Sequence, residues 1–315
     1  MIRFHGKELL ILFLSFIFVG IAAAESPDPR LLTLVPPGAQ LVAGISATSM
    51  QAQPDNFVLV THNNAVDLED FYALTGADDS RTIDQMVFVA IIDNQGLLGE
   101  HSLLVSGHFD QPRLFKSATE GGAAMTSYRR IPILEIQPFP RERAVFNDPR
   151  WLAVLDSNVL VFGSIASTRL ELDRYLARSQ TEVPLRRQLA RLHSKDQTWC
   201  VLSAPTLNDE IYRALASLNP ELAEFVRSGD AFAFSMHYGR RVEFEYEVTT
   251  APTQNNHFGT ASHLASSPEF AKGVSLLPTP NMVRDADTLH DVVEVSLSRY
   301  KEWLAQLKQA RFPLD

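Results

Sequence analysis

The chain has 315 residues, of which 45% are hydrophobic and 21% are charged, and this composition is typical of a folded globular protein. Its formal net charge of −9 argues against a nucleic-acid partner, because such a partner requires a basic surface. The single cysteine, Cys200, excludes an intramolecular disulfide, and the length allows two linked structural units.

The N-terminus has the features of a signal peptide. An apolar run from 9 to 21 follows two basic residues and leads into three alanines that end at Ala24. A run of this length fits a signal core and is short for a membrane span, which needs about 20 residues. We therefore expect a signal peptide over 1–24, a mature chain from Glu25, and a periplasmic or secreted protein with no stable membrane span. An uncleaved N-terminal anchor is the alternative.

The first half of the mature chain predicts strands and helices in alternation. Met86–Asp93 is apolar on both sides of the pleat, so we expect a strand that is covered on both faces. Asp110 follows the next strand and is placed to cap a helix that ends at Gly121. The predicted elements are a strand at 40–46, a helix at 67–76, strands at 86–93 and 101–109, and a helix at 110–122.

Beyond Gly122, the pattern predicts more sheet and a second capped helix. Tyr128–Gln137 contains Pro132, so we expect a strand at an edge or one with a bulge. A hairpin at 151–164 leads into a helix at 165–178, with Ser164 as its cap. The apolar residues predicted to face the core from that helix are Leu172, Tyr175 and Leu176.

The second half predicts a similar succession of elements. In chain order these are a helix at 185–193, a strand at 198–204, helical stretches within 206–228, a hairpin at 230–249, helical turns within 256–276, a strand at 291–296 and a final helix to 310.

The two halves have comparable patterns. The segment QLVAGISATSM resembles TWCVLSAPTLN, and each precedes the order helix, strand, strand, helix, strand. That order is the split β-α-β arrangement. We predict an α+β fold with antiparallel sheets and helices mainly on one face, built from two similar split β-α-β units at 25–180 and 181–315.

Three segments resemble a group of exported bacterial proteins of unknown function. They are LLTLVPPGAQLVAGIS, the GHFD that precedes a helix, and the strand YRRIPILEI. The resemblance implies an exported protein with a repeated α+β domain, and it implies no active residues.

The sequence offers no candidate catalytic, cofactor-binding or metal-ligating residues. Cys200 lies in mid-strand between apolar neighbours, where a buried and inert thiol is the expected state. The nine histidines include no HExxH spacing, and no GxSxG, GxxxxGK[ST] or GxGxxG motif is present. We therefore expect no cofactor.

The most ordered polar feature is an acidic row in RVEFEYEV. Glu243, Glu245 and Glu247 alternate with apolar residues, so they share one face of a strand at intervals of about 7 Å. This glutamate ladder is either the solvated side of an antiparallel sheet or a possible interaction face for a basic partner or a hard cation. The preceding strand would contribute Ala231, Ala233, Ser235 and His237 to the same small, flat patch. Exposed charges contribute little stability, so we expect the fold to survive replacement of all three glutamates with Gln.

Three functions fit these patterns. The first is an exported, non-enzymatic binding or assembly protein whose partner is an unknown protein. The second is a periplasmic carrier of an apolar ligand, which would require a large open apolar cavity. The third is a hydrolase with an unrecognised site, which would require a concave cluster of acid, base and nucleophile.

Overall fold

The structure is a computed structural model of the chain. It describes residues 27–46, 83–92, 98–137, 149–178, 185–192, 198–203, 223, 226–227, 229–238, 240–249, 283–285 and 288–302. The predicted helix at 67–76, the helical turns within 256–276 and the end of the last helix lie outside these residues, as does the signal segment 1–24.

The described strands form one twelve-stranded sheet. Its order is β11-β12-β10-β9-β8-β1-β2-β3-β7-β6-β5-β4, and every pair of neighbours is antiparallel. The strands are β1 Leu41–Ser46, β2 Ile83–Ile92, β3 Leu98–Gly107, β4 Ala124–Tyr128, β5 Ile131–Ile136, β6 Arg150–Asp156, β7 Val159–Ser164, β8 Thr198–Ser203, β9 Ala231–Tyr238, β10 Arg241–Thr249, β11 Val283–Asp285 and β12 Thr288–Ser296. The α+β class and the antiparallel sheet are therefore confirmed.

The central strands are buried on both faces, as their continuous apolar sequence predicts. All six residues of β1 are buried, and in β2 only Asp84 is exposed. β10 instead alternates, with buried Val242, Phe244 and Tyr246 between less buried glutamates. The alternation in β10 means that its two sides meet different surroundings.

The described helices include α1 Pro29–Leu34, α2 Gln111–Glu120, α3 Ile165–Ala177 and α4 Arg186–Leu189. Residues 223, 226–227 and 297–302 are also helical. Asp110 caps α2 by accepting from the Arg113 N–H at 3.1 Å, and Ser164 caps α3 by accepting from the Ser167 N–H at 3.2 Å. Both predicted caps are confirmed.

Helices α1, α3 and α4 lie on the same side of the sheet, here called the helix face. α1 and α4 contribute Leu31, Leu34 and Leu189 to one buried cluster with Val42, Val87, Leu104, Val161, Trp199 and Val201 of the strands. α3 packs on β3, β6 and β7, where Leu172 forms one buried cluster with Ile133, Trp151 and Ala153. The prediction that helices lie mainly on one face agrees with these three helices.

The predicted core side of α3 is wrong in two of three residues. Leu172 is fully buried, but Tyr175 is 37% exposed and Leu176 is 41% exposed. The buried residues of α3 are instead Ser167, Thr168, Glu171, Leu172 and Arg174. This helix therefore turns a mainly polar stripe toward the sheet.

The strand predicted over Tyr128–Gln137 is confirmed from Ile131 to Ile136, but the chain turns before Ile131, and β5 lies between β4 and β6 and not at an edge. β4 and β5 form a hairpin in which Tyr128 is paired with Ile131. The two loop residues, Arg129 and Arg130, have φ angles of 48° and 74°. Positive φ at both loop positions defines a type I′ turn, which normally contains Asn-Gly. Two arginines do not indicate such a turn in a sequence.

Arg130 has a positive φ angle, which strains the backbone of any residue that has a Cβ. Arg130→Gly is therefore expected to stabilise the protein by about 1 kcal/mol. The measurement is the free energy of unfolding from urea titration. Arg130→Ala is the matched control, because it removes the guanidinium but keeps the strained Cβ. An equal gain from both variants would show that charge, and not backbone strain, is responsible.

The split β-α-β connection is not found among the described strands. In that connection the two strands joined by the helix are parallel and are separated by a third strand, whereas β1 pairs directly with β2, the next described strand, and is antiparallel to it. The sheet also continues through the β1–β8 pair from the first predicted unit into the second. The boundary between 25–180 and 181–315 stays a prediction.

Among the helices in the described part of the chain, none combines the length and the hydropathy that a membrane crossing requires.

Candidate functional site

The glutamate ladder lies on the helix face, and all three of its side chains are partly buried. Glu243, Glu245 and Glu247 are opposite His237, Ser235 and Ala233 of β9, so the two predicted polar sides do coincide. On the other flank the same residues are opposite Glu294, Val292 and His290 of β12. The row is therefore three strands wide and is less open than a solvated outer face.

The segment around α4 covers one end of this row. The guanidinium of Arg191 donates to Glu247 at 2.6 Å and to the Thr288 hydroxyl at 2.7 Å. Gln188 donates from its side-chain amide to the Thr249 hydroxyl at 3.1 Å. Because the side chain of Glu247 is only 15% exposed, this ion pair is shielded more than those at the surface. If Glu243, Glu245 and Glu247 are all replaced with Gln, we therefore expect most of the lost stability to come from the replacement of Glu247.

A small cleft opens between the α4 segment and the ladder. Its polar lining is Gln188, Arg191, Ser235, Glu245 and Glu247, and its volume is about 20 Å³. That volume accommodates about one water molecule, so the cleft is far smaller than a pocket for an apolar ligand.

Cys200 occupies the position that the sequence predicts, in the middle of β8 and fully buried. Burial raises the pKa of its thiol above the ordinary value, which disfavours the nucleophilic thiolate. Within the described ranges, no three His, Cys, Asp or Glu side chains are grouped as metal ligands.

The most unusual polar group of the described chain is Glu171 of α3, which is fully buried. The Ser102 hydroxyl of β3 donates to Glu171 Oε1, and Ser167 donates to Ser102 at 3.3 Å. Within the described part of the chain, Glu171 Oε2 and the Thr168 hydroxyl have no hydrogen-bond partner. Two serines therefore give a buried carboxyl group only part of the solvation that water would provide.

Burial raises the pKa of Glu171 to about 8, and the hydrogen bonds from Ser102 and Ser167 offset this effect only in part. The carboxyl group is therefore mainly protonated at neutral pH. Ser102 and Glu171 are both fully buried, so neither is open to a substrate in this structure. Their hydrogen bond links α3 to the sheet.

A second polar contact fixes the other side of α3. Arg174 is 7% exposed, and its Nε donates to the Thr33 carbonyl of α1 at 2.9 Å. The helix is therefore tied to β3 through Glu171 and to α1 through Arg174. Neither residue is among those predicted from the sequence, although Ser167, Glu171 and Arg174 recur at helical spacing opposite the polar side of β3.

Comparison with protein-family models and with curated proteins finds no match. Two solved structures of TP0453 are similar to this chain. Crystal form I has a TM-score of 0.49 at 12% sequence identity, and the match covers 91% of this chain and 99% of that one. Crystal form III has a TM-score of 0.51 at 12% identity, with 89% and 99% of the two chains covered. At this identity the similarity concerns the fold alone, so the fold of this chain is similar to that of TP0453 in crystal form III.

Proposed function

We propose that the protein is an exported, non-enzymatic binding or assembly protein, and that the glutamate ladder is its interaction face for a basic protein segment. The observation that carries the proposal is the composition of the face next to the ladder. Val292 is directly opposite Glu245 and is 46% exposed. A lysine side chain matches this pairing, because its aliphatic stem covers an apolar group while its ammonium group meets a carboxylate.

The geometry of the ladder supports an extended partner. The three carboxylates recur at intervals of about 7 Å, which is also the spacing of alternate side chains in an extended peptide. The chain's net charge of −9 would favour the approach of a basic segment over an acidic one. The small volume of the adjacent cleft fits a surface contact better than the enclosure of a ligand.

The carrier hypothesis comes from the two-sided apolar strand at 86–92 and requires an open apolar cavity beside the sheet. On the side of the sheet opposite α1, α3 and α4, the aromatic side chains Phe232, Phe234, Phe244, Tyr246 and Tyr300 are almost fully buried. Ring centroids of neighbouring members lie 5.3–6.4 Å apart, so side chains of β9, β10 and the helical residues 297–302 fill this region together. This packing favours the binding hypothesis over the carrier, which stays a prediction.

We further infer that the chain consists of two related units that meet at β1 and β8. The order outward from this junction is β1-β2-β3 on one side and β8-β9-β10 on the other. In both directions the second and third strands follow each other closely along the chain, whereas a long connection precedes the second strand. The antiparallel pairing of β1 with β8 is what a two-fold relation between the units would produce.

The interaction face can be tested with a short synthetic peptide of alternating lysine and threonine, measured by isothermal titration calorimetry at low and high salt. Glu243→Gln combined with Glu245→Gln is expected to weaken binding at least about tenfold, because two carboxylate partners are removed. Glu247 is left intact, since its bond to Arg191 contributes to the fold.

The matched control is Glu120→Gln combined with Glu302→Gln, which changes the net charge equally at exposed positions outside the glutamate ladder. This variant is expected to bind as the wild type does. Equal weakening in both double variants would mean that the peptide responds to net charge only, and the ladder would not be a site.

A further inference from the structure

We propose that β4 pairs with β4 of a second copy of this chain, antiparallel across a two-fold axis, in the register that places Thr126 opposite Thr126. This contact is independent of the glutamate ladder, because β4 lies at one end of the sheet and β10 lies in the other half.

The first observation is that β4 is an uncovered edge. It is the terminal strand of the described sheet. Its residues from Ala124 to Ser127 are exposed, and Tyr128 is partly buried. Met125 is 62% exposed, the highest value among the large exposed hydrophobic side chains of the described chain. A row of backbone N–H and C=O groups at such an edge is available to another strand.

The second observation is that this edge lacks the usual protection against pairing. Charged residues and proline normally block edge strands, but the sequence AMTSY of β4 contains neither. Pro132 is in β5, which is covered on both sides by β4 and β6. The strand at the other end of the described sheet, β11, has only three residues and includes Arg284 and Asp285.

The turn between β4 and β5 determines which backbone groups point outward. In a type I′ hairpin with a two-residue loop, the residues that flank the loop form a hydrogen-bonded pair. Tyr128 therefore directs its N–H and C=O toward Ile131, and alternation assigns the same direction to Thr126 and Ala124. Met125 and Ser127 are left with backbone groups that point away from the sheet.

Symmetry then selects the register. A two-fold axis perpendicular to the sheet keeps each face continuous across the junction, so residues on the same face must be opposite each other. With Thr126 opposite itself, all five residues of β4 are paired. Met125 then lies opposite Ser127 of the second copy, and the two such pairs exchange four backbone hydrogen bonds.

The ends of β4 favour a second copy over an unrelated strand. Antiparallel pairing brings the Arg129–Arg130 turn of one copy beside the segment that leads into β4 of the other, where α2 ends at exposed Glu120. The two Met125 side chains become diagonal neighbours on one face, within reach of each other. A five-residue contact is small, so the dimer is expected to be weak and dependent on concentration.

The test is the rate of disulfide formation between two copies of Thr126→Cys in a glutathione redox buffer. Residues opposite each other in a non-hydrogen-bonded pair have Cα atoms about 4.5 Å apart, within the range that a disulfide spans. Ala124→Cys is the matched control, because it is equally exposed but would lie about 13 Å from its symmetry mate. Cys200 is buried and gives no background.

Thr126→Cys is expected to cross-link at least about tenfold faster than Ala124→Cys. A second measurement uses Ser127→Pro, which removes an outward N–H without touching the β4–β5 bonds. Sedimentation equilibrium of the wild type should show a dimer that this variant lacks. Equal rates of cross-linking in the two cysteine variants would overturn the proposal. A wild type that stays monomeric as its concentration is raised would also overturn it. An edge that pairs only with peptides of other proteins would leave the wild type monomeric.

Discussion

Glu171→Gln is expected to stabilise the protein at neutral pH and to reduce the fall of its stability with rising pH between about 4.5 and 8. Burial raises the pKa of Glu171 in the folded protein from 4.5 to about 8. Between these two values the folded state keeps the proton and the unfolded state loses it, so the free energy of unfolding falls as pH rises. The contribution is fully present below pH 4.5, and its loss is on the order of 3 kcal/mol at pH 7.

Gln is the matched replacement for this site, because it is neutral at every pH and keeps the oxygen that accepts from Ser102. The measurement is the free energy of urea unfolding at intervals from pH 5 to pH 8.5. Glu120→Gln is the control, since Glu120 is exposed at the end of α2 and should leave the slope of the wild type unchanged. A variant at Glu171 that keeps this slope would show that the carboxyl group is solvated or paired in the folded protein.

The elements that sequence patterns predict well are those whose partners are close in the chain. The hairpin of β6 and β7 and the hairpin of β9 and β10 each join neighbouring runs of alternating or apolar residues. The caps of α2 and α3 are also local, because Asp110 and Ser164 bond to N–H groups three residues ahead. Local chemistry therefore accounts for the element types and for the caps.

The buried side of α3 could not be predicted by the same rule. Hydrophobic periodicity assumes that the apolar side of a helix is the buried one. In α3 this assumption fails at Leu176, because Glu171 finds its hydrogen-bond donor in Ser102, 69 residues earlier in the chain. A distant partner of this kind makes a polar stripe tolerable in the interior, and local patterns do not contain it.

The strand order could not be predicted from the sequence either, because it too depends on pairing between distant parts of the chain. A similar succession of elements in both halves is compatible with a split β-α-β unit and with the observed antiparallel order. The direct antiparallel pairing of β1 with β2 decides between them, because a split unit would place another strand between the two. The alternation of glutamates with apolar residues in β10 predicts that the three glutamates share one face of the strand. The contact of Glu247 with Arg191 could not be predicted in this way, because it depends on where α4 lies on the sheet.

Gly44→Ala is expected to destabilise the protein by about 3 kcal/mol, because the β1–β8 pair has no room for a methyl group. Gly44 lies directly opposite Trp199, whose indole covers it. A Cβ at this position would lie far inside van der Waals contact with Trp199 Cε2 and Cζ2. Trp199 is fully buried, so the indole cannot move without displacing the cluster between α1, α4 and the sheet.

Two comparisons separate this contact from a general effect of alanine on a strand. Gly38→Ala is the matched control, because its added Cβ would meet only Ile91 Cδ1, at an ordinary 3.8 Å, and little change is expected. In a Trp199→Leu background the indole is absent, so the additional cost of Gly44→Ala should fall by at least about 1 kcal/mol. Urea unfolding of the four proteins in this cycle gives the coupling energy. Additive costs would show that the glycine is required by the backbone of β1 and not by the indole of Trp199.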